Sequence, residues 1–240
     1  MFSRKQRKST MIEAVRKQVC KLLENDNSGH GMEHIERVSK LSSRFAEREN
    51  ADKEAVALIA LLHDVDDYKL FGAECADNLT NAKTILEQCS ISDNIKEQVI
   101  NAIKTIGYSK RLKGITPSTL EGKIVSDADM CDSIGCTGIL RSYQYNSAHG
   151  NLFFDKNIYP TLNMSSGDYI AKKTGTVVTH MFEKLLKLKD MMLTDSGKKE
   201  AIERHNIMVE FLYHFFEEEN VPEWTEYLNN YLKNELNSLK

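Results

Sequence analysis

Residues 58–72 read LIALLHDVDDYKLFG. The apolar run from Ala55 to Leu62 is greasy enough for a protein core, yet it stops abruptly at His63 and Asp64, with Asp66, Asp67 and Lys69 directly behind. Asp52 stands where a helix N-cap is wanted, so the run is expected to be a helix, apolar nearly all round and therefore central. A histidine and an aspartate adjacent at the end of such a helix differ by about 100° around its axis and can lean toward one point beyond it. The tip of a buried post is then a place to hold an ion.

Outward from this post the chain reads as all-α. Proline occurs only at Pro117, Pro160 and Pro222, and strand-like alternation is scarce. A first helix fits Met11 to Glu24, with Ile12, Val15 and Val19 on one stripe and Thr10 as N-cap; NDNSGHG (25–31) ends it. A second fits Met32 to Glu49 with Ile35, Val38, Leu41 and Phe45 inward. Further helices fit Asp77–Gln88, Asn94–Ile106 and Leu120–Ser133, the last preceded by the turn RLKGITPST (111–119). After a long surface excursion near 146–168 come three more, holding HMFEKLLKLKDMM (180–192), AIERHNIMVEFLYHFFEEE (201–219) and the segment from Pro222. The expected plan is a basic tail over 1–10, a single multi-helix domain over 11–220, and a C-terminal helix over 221–240.

Composition narrows the function classes. With 240 residues, 41% of them hydrophobic, the chain can build a substantial core, and 28% charged residues nearly balance at a net charge of −3. Neither nucleic acid nor a charged membrane surface is called for. The longest apolar run is well short of the ~20 residues of a membrane span. The basic cluster FSRKQRKST (2–10) lacks the apolar stretch of a signal peptide, so a solvated tail and a cytoplasmic location are expected. Cys20, Cys75, Cys89, Cys131 and Cys136 are odd in number and never spaced C-x-x-C, which favours reduced thiols over a disulfide framework or a zinc knuckle.

More ligands are needed for the His63–Asp64 tip to grip an ion. Upstream, GHGMEHIERV (29–38) puts His34 in the first turn of the second helix, beside the stripe that begins at Ile35. Downstream, EGKIVSDADMCDSIGC (121–136) sets Asp127, Asp129 and Asp132 in a helix that also carries Ile124, Val125 and Ile134, and carboxylates in an apolar pattern need a counter-charge. Two imidazoles and two carboxylates, at His34, His63, Asp64 and Asp129, make an N2O2 set of borderline softness. It suits one divalent ion, Mn²⁺ first, with Mg²⁺, Ni²⁺, Co²⁺, Fe²⁺ or Zn²⁺ as the others.

The order H…HD…D, in HIERV (34–38), LLHDVDD (61–67) and SDADMCD (126–132), resembles the HD superfamily of metal-dependent phosphohydrolases. TLEGKIVSDADMCDSIG (119–135), HMFEKLLKLKDMM and ERHNIMVEFLYHFFEE (203–218) extend the likeness over roughly 11–220, toward stand-alone bacterial HD proteins linked with nucleoside triphosphate pyrophosphohydrolase activity. The resemblance implies an HD-domain bundle in which His34 is the first metal ligand, His63 and Asp64 the name-giving dyad and Asp129 the last ligand. Asp127 is the alternative ligand, or an acceptor for a histidine N–H. Asp64 and Asp67 are the implied catalytic acids, Asp67 orienting or deprotonating water. Lys69, Lys184, Lys187 and Arg204 are candidates to meet substrate phosphates, Lys184 and Lys187 sharing a helix face with His180.

The sequence departs from the family pattern in three places. Gly31 follows His30 where relatives often have an aspartate; Asp66 interrupts the usual HDIGD; and Met130–Cys131 replaces the middle of ADRLD. The expected partner is a small nucleotide or related phosphate compound, with a homodimer left open. A catalytically silent nucleotide-binding or regulatory module is the competing expectation. A two-iron oxygenase is disfavoured because ligands for a second metal are not assignable, and an HD-GYP phosphodiesterase because no GYP follows the dyad.

Overall fold

The computed structural model describes residues 4–24, 31–162 and 175–238, without the side chains of 4–9, 69 and 235–238. Among the described residues all regular structure is helical: twelve α-helices and one 3-10 helix. Their contacts gather into two compact units, residues 1–132 with 190–200, and residues 133–189 with 201–240.

The first unit holds α1 (Arg4–Leu22), α2 (Met32–Arg48), α3 (Lys53–Leu62), α4 (Tyr68–Asn78), α5 (Thr80–Gln88), α6 (Asp93–Ile103), α7 (Tyr108–Leu112) and α8 (Leu120–Asp132). The helix α3 is central, as its composition demands. It packs against α1, α2, α6 and α8, and Leu58, Ile59, Leu61 and Leu62 are each no more than 1% exposed. Burying each such side chain contributes about 1.5–3 kcal/mol. Asp52 caps it, its side chain accepting from the backbone N–H of Glu54 at 2.9 Å and of Ala55 at 3.3 Å. The inward stripe of α2 is Ile35, Val38, Leu41 and Phe45, joined by His34, Ser42 and Ala46.

In the second unit α9 (Gly135–Ala148), α10 (Val177–Glu183), most of the 3-10 helix Leu185–Met191, α11 (Asp195–Glu218) from Ala201 onward and α12 (Pro222–Ser238) enclose an aromatic core. Trp224 and Phe182 are fully buried at its middle. Tyr159 stacks on Trp224 with ring centroids 4.6 Å apart, Phe154 meets it edge-on at 5.1 Å, and the indole N–H donates to the Lys156 carbonyl at 3.1 Å.

Several boundaries differ from the sequence expectation. Backbone helix begins at Arg4 instead of Met11, so Thr10 lies inside α1; Lys, Arg and Gln are strong helix formers, and the basic stretch extends the helix backwards. The helix expected over Asp77–Gln88 is broken by Leu79 at φ 52°, with α4 before it. The helix α4 is itself two turns joined at Gly72, whose φ of 81° suits a residue with no Cβ. The helices α7 and α9 were not anticipated, because short or weakly patterned segments carry little periodic signal. Of the excursion expected at 146–168, residues up to Ala148 are helical and 163–168 fall outside the described residues. The part between is a packed segment: Leu152 and Phe153 carbonyls accept from Val177 and Val178 N–H at 3.2 and 3.0 Å.

Candidate metal centre

Three elements of the first unit supply the centre. The first turn of α2 carries His34, 1% exposed. His63 and Asp64 follow α3, where His63 is the C-cap and the chain turns away. Asp129 comes from α8, which packs along α2 and α3. His34 Nε2 lies 3.2 Å from His63 Nε2, 3.5 Å from Asp129 Oδ1 and 3.7 Å from Asp64 Oδ2; His63 Nε2 is 3.8 Å from Asp129 Oδ1.

The hydrogen bonds on the far side of each ring fix what these atoms are. His63 Nδ1 is 2.8 Å from the Ala60 carbonyl, which can only accept, so Nδ1 carries the hydrogen. His34 Nδ1 is 2.7 Å from Asp132 Oδ2, in a carboxylate that also takes two bonds from Arg37, so here too Nδ1 donates. In the neutral rings both Nε2 atoms are then lone pairs, and they point at each other and at two carboxylates. Bonds of about 2.1 Å to a common ion at 90–109° place donors about 3.0–3.4 Å apart, close to the spacing found. The donor set fits a divalent cation.

The three acids of α8 do different work. Asp129 and Asp132 are three residues apart, about 60° around the axis, and share the side facing α2; Asp127 is about 200° from Asp129 and faces away. Its carboxylate accepts from Leu193 N–H at 2.9 Å, and from Thr194 N–H and Oγ1 at 2.7 and 2.8 Å. Burial pushes the Asp127 carboxyl above its ordinary range, opposed by these bonds and by the Arg111 charge. Gly197 completes this packing, since a Cβ there would fall 2.3 Å from Asp127 Oδ2. Both Asp127 oxygens are thus engaged by Leu193 and Thr194 and not by a histidine. The acceptor is Asp132, which Arg37 grips through Nε at 2.7 Å and a second nitrogen at 3.0 Å. That bond raises the Arg37 pKa above its ordinary value despite partial burial. The signal was available in outline: His34 and Arg37 are i,i+3 on one helix and Asp129 and Asp132 are i,i+3 on another, two matched pairs.

The remaining candidates divide. Asp66, one of the departures from the family pattern, is turned to structural use: it accepts from Asn81 N–H at 2.7 Å, Ala82 N–H at 2.9 Å and Cys75 Sγ at 3.1 Å, capping α5 from a distance. Asp67 is half-buried at the start of α4, its carbonyl accepting from Leu70 and Phe71 N–H at 3.0 Å. The Lys69 side chain falls outside the described part. Lys184, Lys187 and Arg204 belong to the second unit and are partly buried. Lys184 ends α10 at φ −133°, and Lys187 lies in the 3-10 helix, so the two do not share an α-helical face with His180. In that 3-10 helix Leu185 and Leu188, three residues apart and so on one side, are both buried, as is Leu186.

The HD domain matches residues 31–134, the span that contains every member of this cluster. The Bacillus subtilis protein YpgQ is 32% identical over 206 residues, covering 83% of this chain and 89% of that protein. The chain belongs to the HD superfamily. Among solved structures, an HD-superfamily hydrolase from Bacillus thuringiensis is 32% identical, covers 89% of this chain and 99% of its own, and superposes with a TM-score of 0.69. A Lactobacillus plantarum protein is 31% identical with a TM-score of 0.76, covering 94% of this chain and 100% of its own. YpgQ, also solved in complex with ADP, superposes with a TM-score of 0.67, covering 88% of this chain and 96% of its own. Among the described residues of this HD protein no helix is long and apolar enough to cross a membrane.

Proposed function

We propose that this HD protein is a metal-dependent phosphohydrolase acting on a nucleotide or related phosphate compound, with nucleoside triphosphate to monophosphate and pyrophosphate as the specific reaction. The observation that carries it is the meeting of two imidazoles and two carboxylates, with the His34 and His63 Nε2 atoms 3.2 Å apart and Asp129 and Asp64 oxygens 3.5 and 3.7 Å from His34 Nε2. Such a cluster of like acceptors is repulsive unless a cation sits among them. His34, His63, Asp64 and Asp129 would hold it, and Mn²⁺ is the first choice for this borderline set. YpgQ crystallised with ADP supports a nucleotide as ligand.

A divalent ion held there would lower the pKa of a water bound to it toward neutrality and would neutralise charge on the phosphoryl oxygens. In the hydrolysis, a water oxygen bonds to the α-phosphorus, the bond from that phosphorus to the bridging oxygen breaks, and pyrophosphate leaves with the electron pair. The water proton passes to a base, for which Asp67, three residues after Asp64, is proposed. Lys69, Lys184, Lys187 and Arg204 are the cations proposed, from the sequence alone, to meet the substrate phosphates.

The test is release of phosphate or pyrophosphate from a panel of ribo- and deoxyribonucleotides by protein reconstituted with Mn²⁺, Mg²⁺, Ni²⁺, Co²⁺, Fe²⁺ or Zn²⁺, beside the Asp64→Ala variant. Turnover by wild type that the variant lacks is the expected result. No release from any nucleotide, with the two proteins indistinguishable, overturns the proposal; nucleotide binding without release points to the silent regulatory module.

A further inference from the structure

Arg37 and Asp132 are used by no step above, yet they form a two-pronged ion pair directly behind His34. Asp132 is 2% exposed, and its two oxygens take the Arg37 fork at 2.7 and 3.0 Å while Oδ2 also faces His34 Nδ1 at 2.7 Å. The guanidinium fork fixes the plane of the carboxylate. Arg37 and His34 both come from α2, whereas Asp132 reaches across from α8, so one carboxylate ties the two helices where they carry His34 and Asp129.

We infer that Arg37 and Asp132 are positioning residues that hold His34 as the Nδ1–H tautomer and so present Nε2 as a lone pair to the cluster. The chemistry is one of exclusion. An imidazole without a far-side partner samples both tautomers, and with the hydrogen on Nε2 it would aim a donor where a ligand is required. An ionised carboxylate can only accept, which leaves Nδ1–H as the hydrogen-bonded state. Arg37, donating to both of its oxygens, holds that carboxylate in place against Nδ1. His63 reaches the same tautomer differently, through the Ala60 carbonyl of its own helix at 2.8 Å, and has no charged partner there. The two rings are thus set by separate devices, and only that of His34 depends on a side chain.

The inference rests on the reading of the cluster as a metal centre, and its test separates the two. The primary readout is the pair of ring ¹⁵N shifts of His34 in metal-free protein, at a pH where the ring is neutral. Wild type is expected to show protonated Nδ1 and bare Nε2, and Asp132→Asn, whose amide can donate to Nδ1, a population shifted to Nε2–H. The second readout is the dissociation constant for Mn²⁺, expected to weaken about 10- to 100-fold in Asp132→Asn. A smaller weakening is expected in Arg37→Lys, which keeps the charge but loses the fork. Arg37 has 35% of its side chain exposed, so Arg37→Lys keeps the test open if Asp132→Asn folds poorly. If both variants lower thermal stability but leave the tautomer unchanged and Mn²⁺ affinity within twofold, the pair merely staples α2 to α8 and the inference is overturned. Wild type that takes up no divalent ion overturns the metal reading alone, because the tautomer is still decided by the shifts.

Discussion

The two units bury different things. In the first, His34, Asp66, Asp127 and Asp132 are at most 6% exposed, and each is satisfied by particular donors or acceptors. In the second, the middle is a set of rings around Trp224, where Phe154, Tyr159, Phe182 and Phe216 lie with centroids 4.6 to 6.2 Å from the indole. Aromatic packing depends on volume and edge-to-face geometry, and a ring replaced by a similar ring keeps most of its value. A buried polar centre depends on which atom carries each hydrogen, and an isosteric change can reverse it. The polar centre of the first unit is therefore the more sensitive to an isosteric change, and the aromatic core of the second to a loss of volume.

The largest separation of the two is expected at Asp64. Asp64→Ala should reduce nucleotide turnover to background and abolish ion uptake, while metal-free protein melts no lower than wild type, because two carboxylates no longer crowd His34 Nε2 from 3.7 and 3.5 Å. Turnover assays and metal-free melting curves check both halves, and a large loss of stability would contradict the division. Trp224→Ala should do the converse, costing about 3–5 kcal/mol in denaturant unfolding followed by circular dichroism, with Trp224→Phe costing less. In wild type this residue is the only tryptophan, so its emission reports unfolding of the second unit directly. Asp127→Ala should lower stability by about 1–3 kcal/mol, since Leu193 and Thr194 lose their buried acceptor, yet leave an ion-binding protein. Asp52→Ala should cost about 1 kcal/mol, seen as a small shift of the denaturation midpoint with turnover unchanged.

Much of the first unit was legible because its periodicity is strong: the stripes of α2 and α3 and the cap at Asp52 follow from side-chain type and spacing alone. The approach of His34, His63 and Asp129, with Asp64 3.7 Å from His34, was expected from the H…HD…D order, two members of which end an apolar helix where polar groups need a reason. What escaped was division of labour among acids of the same type. Asp127, Asp129 and Asp132 look alike in sequence, and only the 100° step of α8, combined with partners about 66 to 98 residues away, separates a helix tie, a cluster member and a histidine partner. The second unit was less legible because its ordering agents, such as the Lys156 carbonyl beneath Trp224, sit in a segment without periodicity. Asp66 reads as a family departure until its acceptors are seen to close the N-terminus of α5.

The helix α8 is fastened from two opposed sides, by Asp127 to the turn at 193–194 and by Asp132 to Arg37. A rod gripped this way resists torque, so Asp129, lying between the two fastenings, is aimed by the frame of the helix and not by its own rotamer alone. His63 and Asp64 are set differently, at the end of α3, where the Ala60 carbonyl one turn back orients the His63 ring.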